Sequence, residues 1–532
     1  MNGTDELTSV QVLVAGAGPA GLVMGCELAR RGVDCLVIER ESGPFGGSRG
    51  KGLQPRTQEI FEDLGVLDEV RAHGGPYPPL RVQAGRQVVF EGRMDPLREA
   101  TPDVPYPNVW MLPQWRTGEI LRARFAALGG AVQYGTELVS FSQDTGGVRA
   151  VLRRGGREHE VLASYLAGAD GGHSTVRRSL GIGFAGETRP EERMIVADVM
   201  ADGIGRDSWR VWTSGGGPEG FQLGLCPLAG TDTFQLTAPL PAGAPVPELS
   251  LPGLQRLADE AAGPGEVRLT GLAWSSVYRT NIRMAEQFRR DRVFLVGDAA
   301  HVHSPAGGQG LNTGVQDSYN LGWKLAAAVA GAPGWLLDSY SDERLPVAAD
   351  VLGISTRLHD KAVDGEPDAH LRDDPELRQL NLGYRHSVLS GEHRAGPGLV
   401  RAGDRAPDAT GEDAAGKTIR LFELIHGGKF TLLAFGPAAG HLAGQLAADY
   451  PAGLIQAVEV AGQGQDADAA GRAAAAVFAD CDGFARRDYG IGPGQDVLLI
   501  IRPDGYLGLA LDAGPGEAER AGAYLAGLCP RG

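Results

Sequence analysis

The sequence predicts an α/β fold in three parts: a parallel-sheet domain built on a βαβ unit, an antiparallel sheet inserted into it, and a separate C-terminal domain. Three observations predict it. An apolar strand, a glycine-rich turn, a helix and a second strand follow one another between Val10 and Glu39. Short alternating runs, among them "MIVADVMAD", "SWRVWTS" and "EVRLTGLAW", crowd residues 186–275 as half-buried antiparallel strands do. Past about Asp364 the chain turns polar, "VDGEPDAHLRDDPELRQ", before new apolar strands "FTLLAFG" and "DVLLIIRPDGYLGLAL", the last with an Asp504-Gly505 turn. A chain of 532 residues exceeds one ordinary core and accommodates about three or four units.

The βαβ unit carries the most specific chemistry. After the strand Val10–Ala15, "GAGPAG" sets Gly16, Gly18 and Gly21 in G-x-G-x-x-G spacing, with Pro19 and Ala20 between them. Gly16 permits the tight turn, Gly18 lets backbone approach a pyrophosphate, and Gly21 lets helix and strand pack closely, while the helix N-terminus faces the anion. Leu22, Cys26 and Ala29 share one helix face, and "DCLVIER" ends its strand at Glu39. An acid about 20 residues beyond the glycines can accept hydrogen bonds from both ribose hydroxyls. These spacings predict a Rossmann-like dinucleotide site. The same expression recurs as "GGGPEG" at 215–220, yet between two strands, so it reads as a hairpin loop.

Two later stretches remain. In "EVLASYLAGADGGHSTVRRSLGI" a strand runs into Asp170-Gly171-Gly172, with Ser174 and Arg177 at a helical start; alone this is either an ordinary turn or part of a site. In "RRDRVFLVGDAAHVHSPAGGQGLN" Gly297 and Asp298 lie at a strand end, where α/β sheets present ligand-binding groups. Leu311, Val315, Tyr319, Gly322, Leu325 and Val329 keep helical spacing, so "SPAGGQG" feeds a helix N-terminus near Gly310. His301 and His303 imitate a metal pair, but no further Cys or His cluster completes a coordination sphere; packing or a hydrogen bond to the loop is expected, and no metal.

Composition narrows the partners. Acidic residues number 66 against 50 basic, a net charge of -16, which repels phosphate backbones and anionic lipid and argues against nucleic acid or membrane as partner. "MNGTDELTS" lacks a basic leader and no apolar run approaches the roughly 20 residues that cross a bilayer, so a cytoplasmic location is expected. The five cysteines are scattered without a C-x-x-C, so neither a disulfide framework nor a redox dithiol is expected.

Taken together, "GAGPAG" with Glu39-Arg40, "ADGGHSTVR" and "VGDAAHVHSPAGGQGLNTGVQDSYNLGWKL" resemble, in order and spacing, the class A FAD-dependent aromatic monooxygenases, the para-hydroxybenzoate hydroxylase group. The resemblance covers nearly all of residues 10–355. The tail, "RAGDRAPDATG" through "VLLIIRPDGYLGLA", is similar to the thioredoxin-like C-terminal domain of the larger polyketide-tailoring members, without their redox dithiol. The resemblance implies an FAD-binding domain of residues 1–75, 106–185 and 276–385, a substrate domain of 76–105 and 186–275, and a thioredoxin-like domain of 397–532.

It also implies residue roles. Gly16, Gly18 and Gly21 would hold the FAD pyrophosphate, Glu39 the adenosine ribose, and Arg40 would lie beside the adenine. Arg49, in "GSRGKGLQPRTQE", matches the arginine near the pyrophosphate, and Gln114, in "LPQWRTGEIL", the glutamine beside the flavin chain. Asp170 belongs to a motif linked to both FAD and NADPH, and Asp298 would grip the ribityl hydroxyls. Pro305 would border the isoalloxazine, and the backbone of Leu311 and Asn312 would face its pyrimidine edge. Gly307, Gly308 and Gly310 would let backbone N–H groups reach the ring, with the helix dipole opposing the charge of reduced flavin. The chain departs from the common pattern at Gly50 and Lys51, where a small apolar pair is frequent.

The implied activity is hydroxylation of a polycyclic aromatic polyketide in antibiotic-type metabolism. NADPH, as a transient co-substrate, would reduce the flavin, and O2 would form the C4a-hydroperoxide that transfers oxygen. The flavin carries the chemistry, and no side chain is identifiable as an obligatory acid or base. Baeyer-Villiger-type insertion or oxidative ring cleavage on a similar polyketide is the alternative. A plain NAD dehydrogenase would leave two of the three motifs idle. The tail leaves a binding module or homo-oligomer open.

Overall fold

The computed structural model describes residues 8–214, 220–363, 371–396, 398–451, 453–462 and 476–529. The first strand, Thr8–Ala15, is central in a sheet, parallel to Cys35–Glu39 on one side and to Arg157–Gly168 on the other. Val12, Leu13 and Val14 are wholly buried, because a parallel strand covered on both faces needs a continuous apolar run. Val132–Tyr134 and Val293–Leu295 extend the sheet in parallel, and Val148–Arg154 and Thr136–Gln143 add an antiparallel pair.

Register decides where the motifs meet. Ala15 lies opposite Ile38 and Gly168, and Gly168 opposite Leu295. The chain therefore leaves all four strands at one edge of the sheet, delivering Gly16, Glu39, Asp170 and Asp298 there. The helix Pro19–Ala29 packs on the helix Gly310–Val329, where Ser318 Oγ donates to the Ala20 carbonyl at 2.8 Å. A Cβ on Gly322 would stand 2.5 Å from the Glu27 Cβ, so glycine sets that crossing.

The second sheet runs, in spatial order, His301–Val302, Arg268–Ala285, Phe184–Asp202, Thr233–Leu240, Phe221–Pro227, Trp209–Thr213, Leu80–Ala84 and Gln87–Gly92. Its alternation sends Ile195, Ala197, Leu223, Leu225, Phe234 and Leu236 into a core shared with the helix Leu251–Ala262. The two longest strands pair from Phe184 opposite Ala285 to Asp202 opposite Arg268, running past the expected limits at 186 and 275. They form a continuous ribbon that carries the insert, and alternation in sequence cannot mark where a ribbon leaves one domain for another. Trp209–Thr213 and Phe221–Pro227 pair antiparallel, as the hairpin reading of "GGGPEG" requires; residues 215–219 lie outside those described.

The tail forms a thioredoxin-like mixed sheet. Phe430–Phe435 is parallel to Ile455–Ala461 and antiparallel to Val497–Ile501, which turns through Gly505 (φ 76°) into Leu507–Asp512. Gly391–His393 pairs with Leu507–Asp512 as an edge strand. The tail's sheet thus begins ahead of the expected boundary at 397, since polar composition reports exposure and not pairing. The tail is docked by buried charge: Arg502 binds Glu343 at 2.6 and 2.9 Å, and Asp504 accepts from Trp323 Nε1 at 3.0 Å and Asn320 Nδ2 at 3.2 Å. Arg405 reaches Glu59 at 2.7 Å. Trp323 sits in the tail's own core, edge-on to Phe430.

No disulfide links the five cysteines. Among the described residues, no helix is long and apolar enough to cross a membrane.

Candidate cofactor and substrate site

The three glycines of the first turn do different work. A Cβ on Gly16 (φ 108°) would stand 2.3 Å from the Ala169 carbonyl oxygen, and one on Gly21 only 1.9 Å from the Gly16 carbonyl oxygen. Both positions are forced by backbone packing. Gly18 is not: a Cβ there would find no atom within 4 Å. It caps the helix Pro19–Ala29, which starts with Pro at its first position and no side-chain cap, so the N–H groups of Ala20 and Gly21 are among those the first turn leaves without helical partners. Glu39 ties the next strand to the turn, accepting from Ala17 N at 3.0 Å and from Glu41 N at 3.1 Å. Arg40 is exposed beside Glu41.

The loop after Leu295 opens onto the same edge. Gly297 (φ 58°) donates its N–H to Asp317 Oδ2 at 3.0 Å. Asp298 is accessible to solvent, yet it lies deep enough that burial raises its carboxyl above the ordinary value, against the pull of His301 and Arg49. Gly307 (φ 80°) and Gly308 (φ 64°) are left-handed, and a Cβ on Gly308 would meet nothing within 4 Å. Pro305 and Gly308 are exposed, and Gly310 starts the helix as the spacing predicts.

Asn312 and Gln114 pin a third piece of chain to this loop. Asn312, wholly buried, accepts from Gln54 N at 2.9 Å and donates to the carbonyls of Gly308 at 2.8 Å and Gly52 at 3.0 Å. Its side chain is thus spent on the scaffold. Gln114 Oε1 accepts from Gly50 N at 2.9 Å, and the Leu311 side chain packs at Gly50. Arg49 stacks on Phe45 and Trp274, 5.5 and 5.8 Å from their ring centres.

Asp170 has a visible structural task. Its Oδ2 accepts from Thr175 N at 2.7 Å and Val176 N at 3.1 Å, holding the short helix Thr175–Ser179. Its Oδ1 is buried without a partner, an atom that a hydroxyl-bearing ligand would satisfy.

Sequence reasoning missed the support beneath the loop. His301 Nε2 lies 2.7 Å from Asp317 Oδ2 and His301 Nδ1 lies 2.8 Å from His303 Nε2, while Arg344 Nε donates to Asp317 Oδ1 at 2.8 Å. The histidines are thus hydrogen-bonded, and among the described residues no cluster of three or more His, Cys, Asp or Glu could hold a metal. Burial pushes the Asp317 carboxyl up, but His301 and Arg344 outweigh it and hold Asp317 at about 2. Burial pushes His303 well below the ordinary histidine value. The available signal was the density of polar residues in "LNTGVQDSYN", too many for a helix with one solvated face.

Open space at Gly18 before a helix N-terminus, Glu39 and exposed Asp298 at the same sheet edge, and open space at Gly308 fit a long dinucleotide. The comparisons agree. The FAD binding domain family matches residues 9–355. A flavin-dependent monooxygenase of Mycobacteroides abscessus is 42% identical, over 94% of this chain and 97% of its own. The 6-methylpretetramide 4-monooxygenase of Streptomyces rimosus is 35% identical, over 94% of this chain and 91% of its own. Among solved structures, the ternary complex of aklavinone-11 hydroxylase with FAD and aklavinone superposes with a TM-score of 0.78 at 27% identity, covering 100% of both chains. The chain belongs to the FAD binding domain family. It is an FAD-dependent monooxygenase of class A.

Proposed function

We propose that this protein hydroxylates an electron-rich ring of a polycyclic aromatic polyketide, drawing electrons from NADPH and oxygen from O2. The observation that carries the reading is the open space at Gly18 and at Gly308, with exposed Asp298 delivered to the same sheet edge as Gly16 and Glu39. The named substrates of two relatives, 6-methylpretetramide and aklavinone, support the substrate class.

The site roles follow from what each group offers. Backbone N–H groups at Gly18, Ala20 and Gly21 would meet the pyrophosphate, with Pro19, which has no N–H, presetting the first helical turn and Arg49 adding positive charge nearby. Glu39 would accept from the ribose, Arg40 would border the adenine, and Asp298 with Gln114 would hold the ribityl chain. Asp170 would add its unpaired oxygen. Pro305 and the turn of Gly308, Gly310, Leu311 and Asn312 would frame the ring, with the helix N-terminus opposing negative charge at its edge. When bound, FAD would supply hydride acceptance from NADPH and activation of O2 for transfer of one oxygen atom. The protein's share is to orient the ring system and exclude water.

The test is NADPH consumption by the FAD-loaded protein with a panel of hydroxylated polycyclic aromatics, followed by product analysis. A product heavier by one oxygen with its carbon rings intact supports hydroxylation. A lactone or opened ring replaces it with the insertion reading, and a preparation that retains no FAD overturns both.

A further inference from the structure

Part of the polar stretch past Asp364 reaches the glycine loop. Residues 371–379 end in a short helical turn, Pro375–Arg378, closed by Gln379 in a left-handed conformation (φ 59°). Among the described residues, only Asp291 also has a positive φ without being glycine. Such a backbone is strained for a residue with a side chain and persists only where its surroundings fix it. Gln379 is buried, as are Leu377 and Gln309.

The Gln379 amide is held on both sides. Its Nε2 donates to Gln309 Oε1 at 2.6 Å and to Thr313 Oγ1 at 3.3 Å, and its Oε1 accepts from Gln316 Nε2 at 2.6 Å. Gln309 Nε2 in turn donates to the carbonyls of Gly307 at 2.9 Å and Leu377 at 3.1 Å. Each of these two amides uses both N–H groups, so turning either over would set oxygen against oxygen. Gln54 Nε2 also donates to the Gly307 carbonyl, at 3.1 Å. Leu377 closes the remaining space, since a Cβ on Gly307 would stand 3.1 Å from its Cδ2. The left-handed turn Gly307–Gly308 is therefore clamped by residues 377–379, and the helix beginning at Gly310 follows it directly. The N–H groups of that helix's first turn have no helical partners.

We propose that Gln379 is a positioning residue for the flavin: acting through Gln309, it holds the Gly307–Gly308 turn so that the helix N-terminus meets the ring edge that gains negative charge on reduction. The inference rests on the placement of the ring at Gly308 and adds a residue from outside the three cofactor motifs. Gln379 is 1% exposed and touches neither cofactor nor substrate. Loosening the turn withdraws donors that favour the reduced, more negative ring over the oxidised one, so the effect falls on the reduction potential more than on retention of FAD.

The experiment measures the midpoint potential of bound flavin, and thermal melting, on the full chain. Gln379→Met keeps the length and loses the amide. It is expected to weaken binding of two-electron-reduced flavin about tenfold relative to oxidised flavin, which lowers the potential by about 30 mV. Gln309→Met is expected to do the same, and the double variant no more than either alone, because both act along one chain. Leu254→Ala, in the core of the inserted sheet, is expected to lower melting without moving the potential. A Gln379→Met protein with an unshifted potential overturns the proposal; should that variant not fold, Gln379→Asn, which tolerates the left-handed backbone but is too short to reach Gln309, decides in its place. A double variant whose shift is the sum of the two, or an equal shift in Leu254→Ala, overturns it as well. Gly308→Ala puts a methyl group into the open space at the turn and is expected to change the absorbance of bound flavin. If it leaves absorbance and affinity unchanged, the placement of the ring falls and the proposal with it; if it changes them while Gln379→Met shifts nothing, only the proposal falls.

Discussion

One methyl group separates the roles of Gly18 and Gly21. Gly18→Ala places its Cβ in open space, so the apoprotein should melt normally while FAD affinity falls at least tenfold, about 1.4 kcal/mol. Gly21→Ala drives its Cβ into the Gly16 carbonyl and should lower melting with or without FAD, by about 1–3 kcal/mol or more. Thermal melts paired with FAD titration check both; equal loss of apoprotein stability would mean that protein fills the cradle. Asp317 predicts an acid limit. Its folded value of about 2 lies below the unfolded value of about 3.9, so its stabilisation is full above about pH 4 and is lost as pH falls toward 2. Denaturant unfolding across that window should show a loss of about 2–3 kcal/mol from this group. Asp317→Asn should already lack it at neutral pH, with Arg344 left buried beside the neutral acceptors Tyr384 and Thr313 and without the charge of Asp317. The glycines were legible because a pyrophosphate turn dictates their spacing. Asp317 was not, since its partners His301 and Arg344 come from separate elements and no spacing rule joins them.

The helix Gly310–Val329 shows what periodicity can and cannot report. Its start and its apolar face were legible from Leu311, Val315, Tyr319 and Leu325. Its surroundings were not: every residue from Asn312 to Leu325 is buried, including Asn312, Gln316, Asp317, Asn320 and Lys324. Sequence treats such polar residues as a solvated stripe, whereas here each finds a partner brought by another element. Lys324 Nζ, for example, binds Glu343 at 2.7 Å; burial lowers this lysine to about 8, with Glu343 pulling back. Asp504→Ala should strip acceptors from Arg502, Trp323 and Asn320 and cost about 3–5 kcal/mol in a denaturant melt. Arg520→Ala, which breaks a part-exposed pair with Glu517 on the same tail, should change the melt by less than about 1 kcal/mol.

Across the whole molecule, the order of the three parts was readable because each has its own signature: glycine spacing, strand alternation and a polar break. Their seams were not. The ribbon of Phe184–Asp202 and Arg268–Ala285 and the edge strand Gly391–His393 both cross expected boundaries, since pairing partners are chosen in space. The tail's attachment makes a further prediction. Removing residues 391–532 uncovers Trp323, Leu336 and the buried charges of Glu343 and Lys324, so the remaining fragment should aggregate or lose FAD when examined by light scattering and flavin absorbance. A monodisperse fragment that keeps full FAD affinity would mean that the FAD-binding part stands alone.

The helix that presents the glycine loop at its head holds the tail's Asp504 near its foot. Exchanging tails between related enzymes therefore has a hidden requirement. A foreign tail lacking an acid at the tip of that turn would leave the Trp323 indole N–H facing nothing and Asn320 with Glu343 alone, and the mismatch would be felt at the far end, where the cofactor sits. Chimaeras in this family should be cut so that helix and turn travel together.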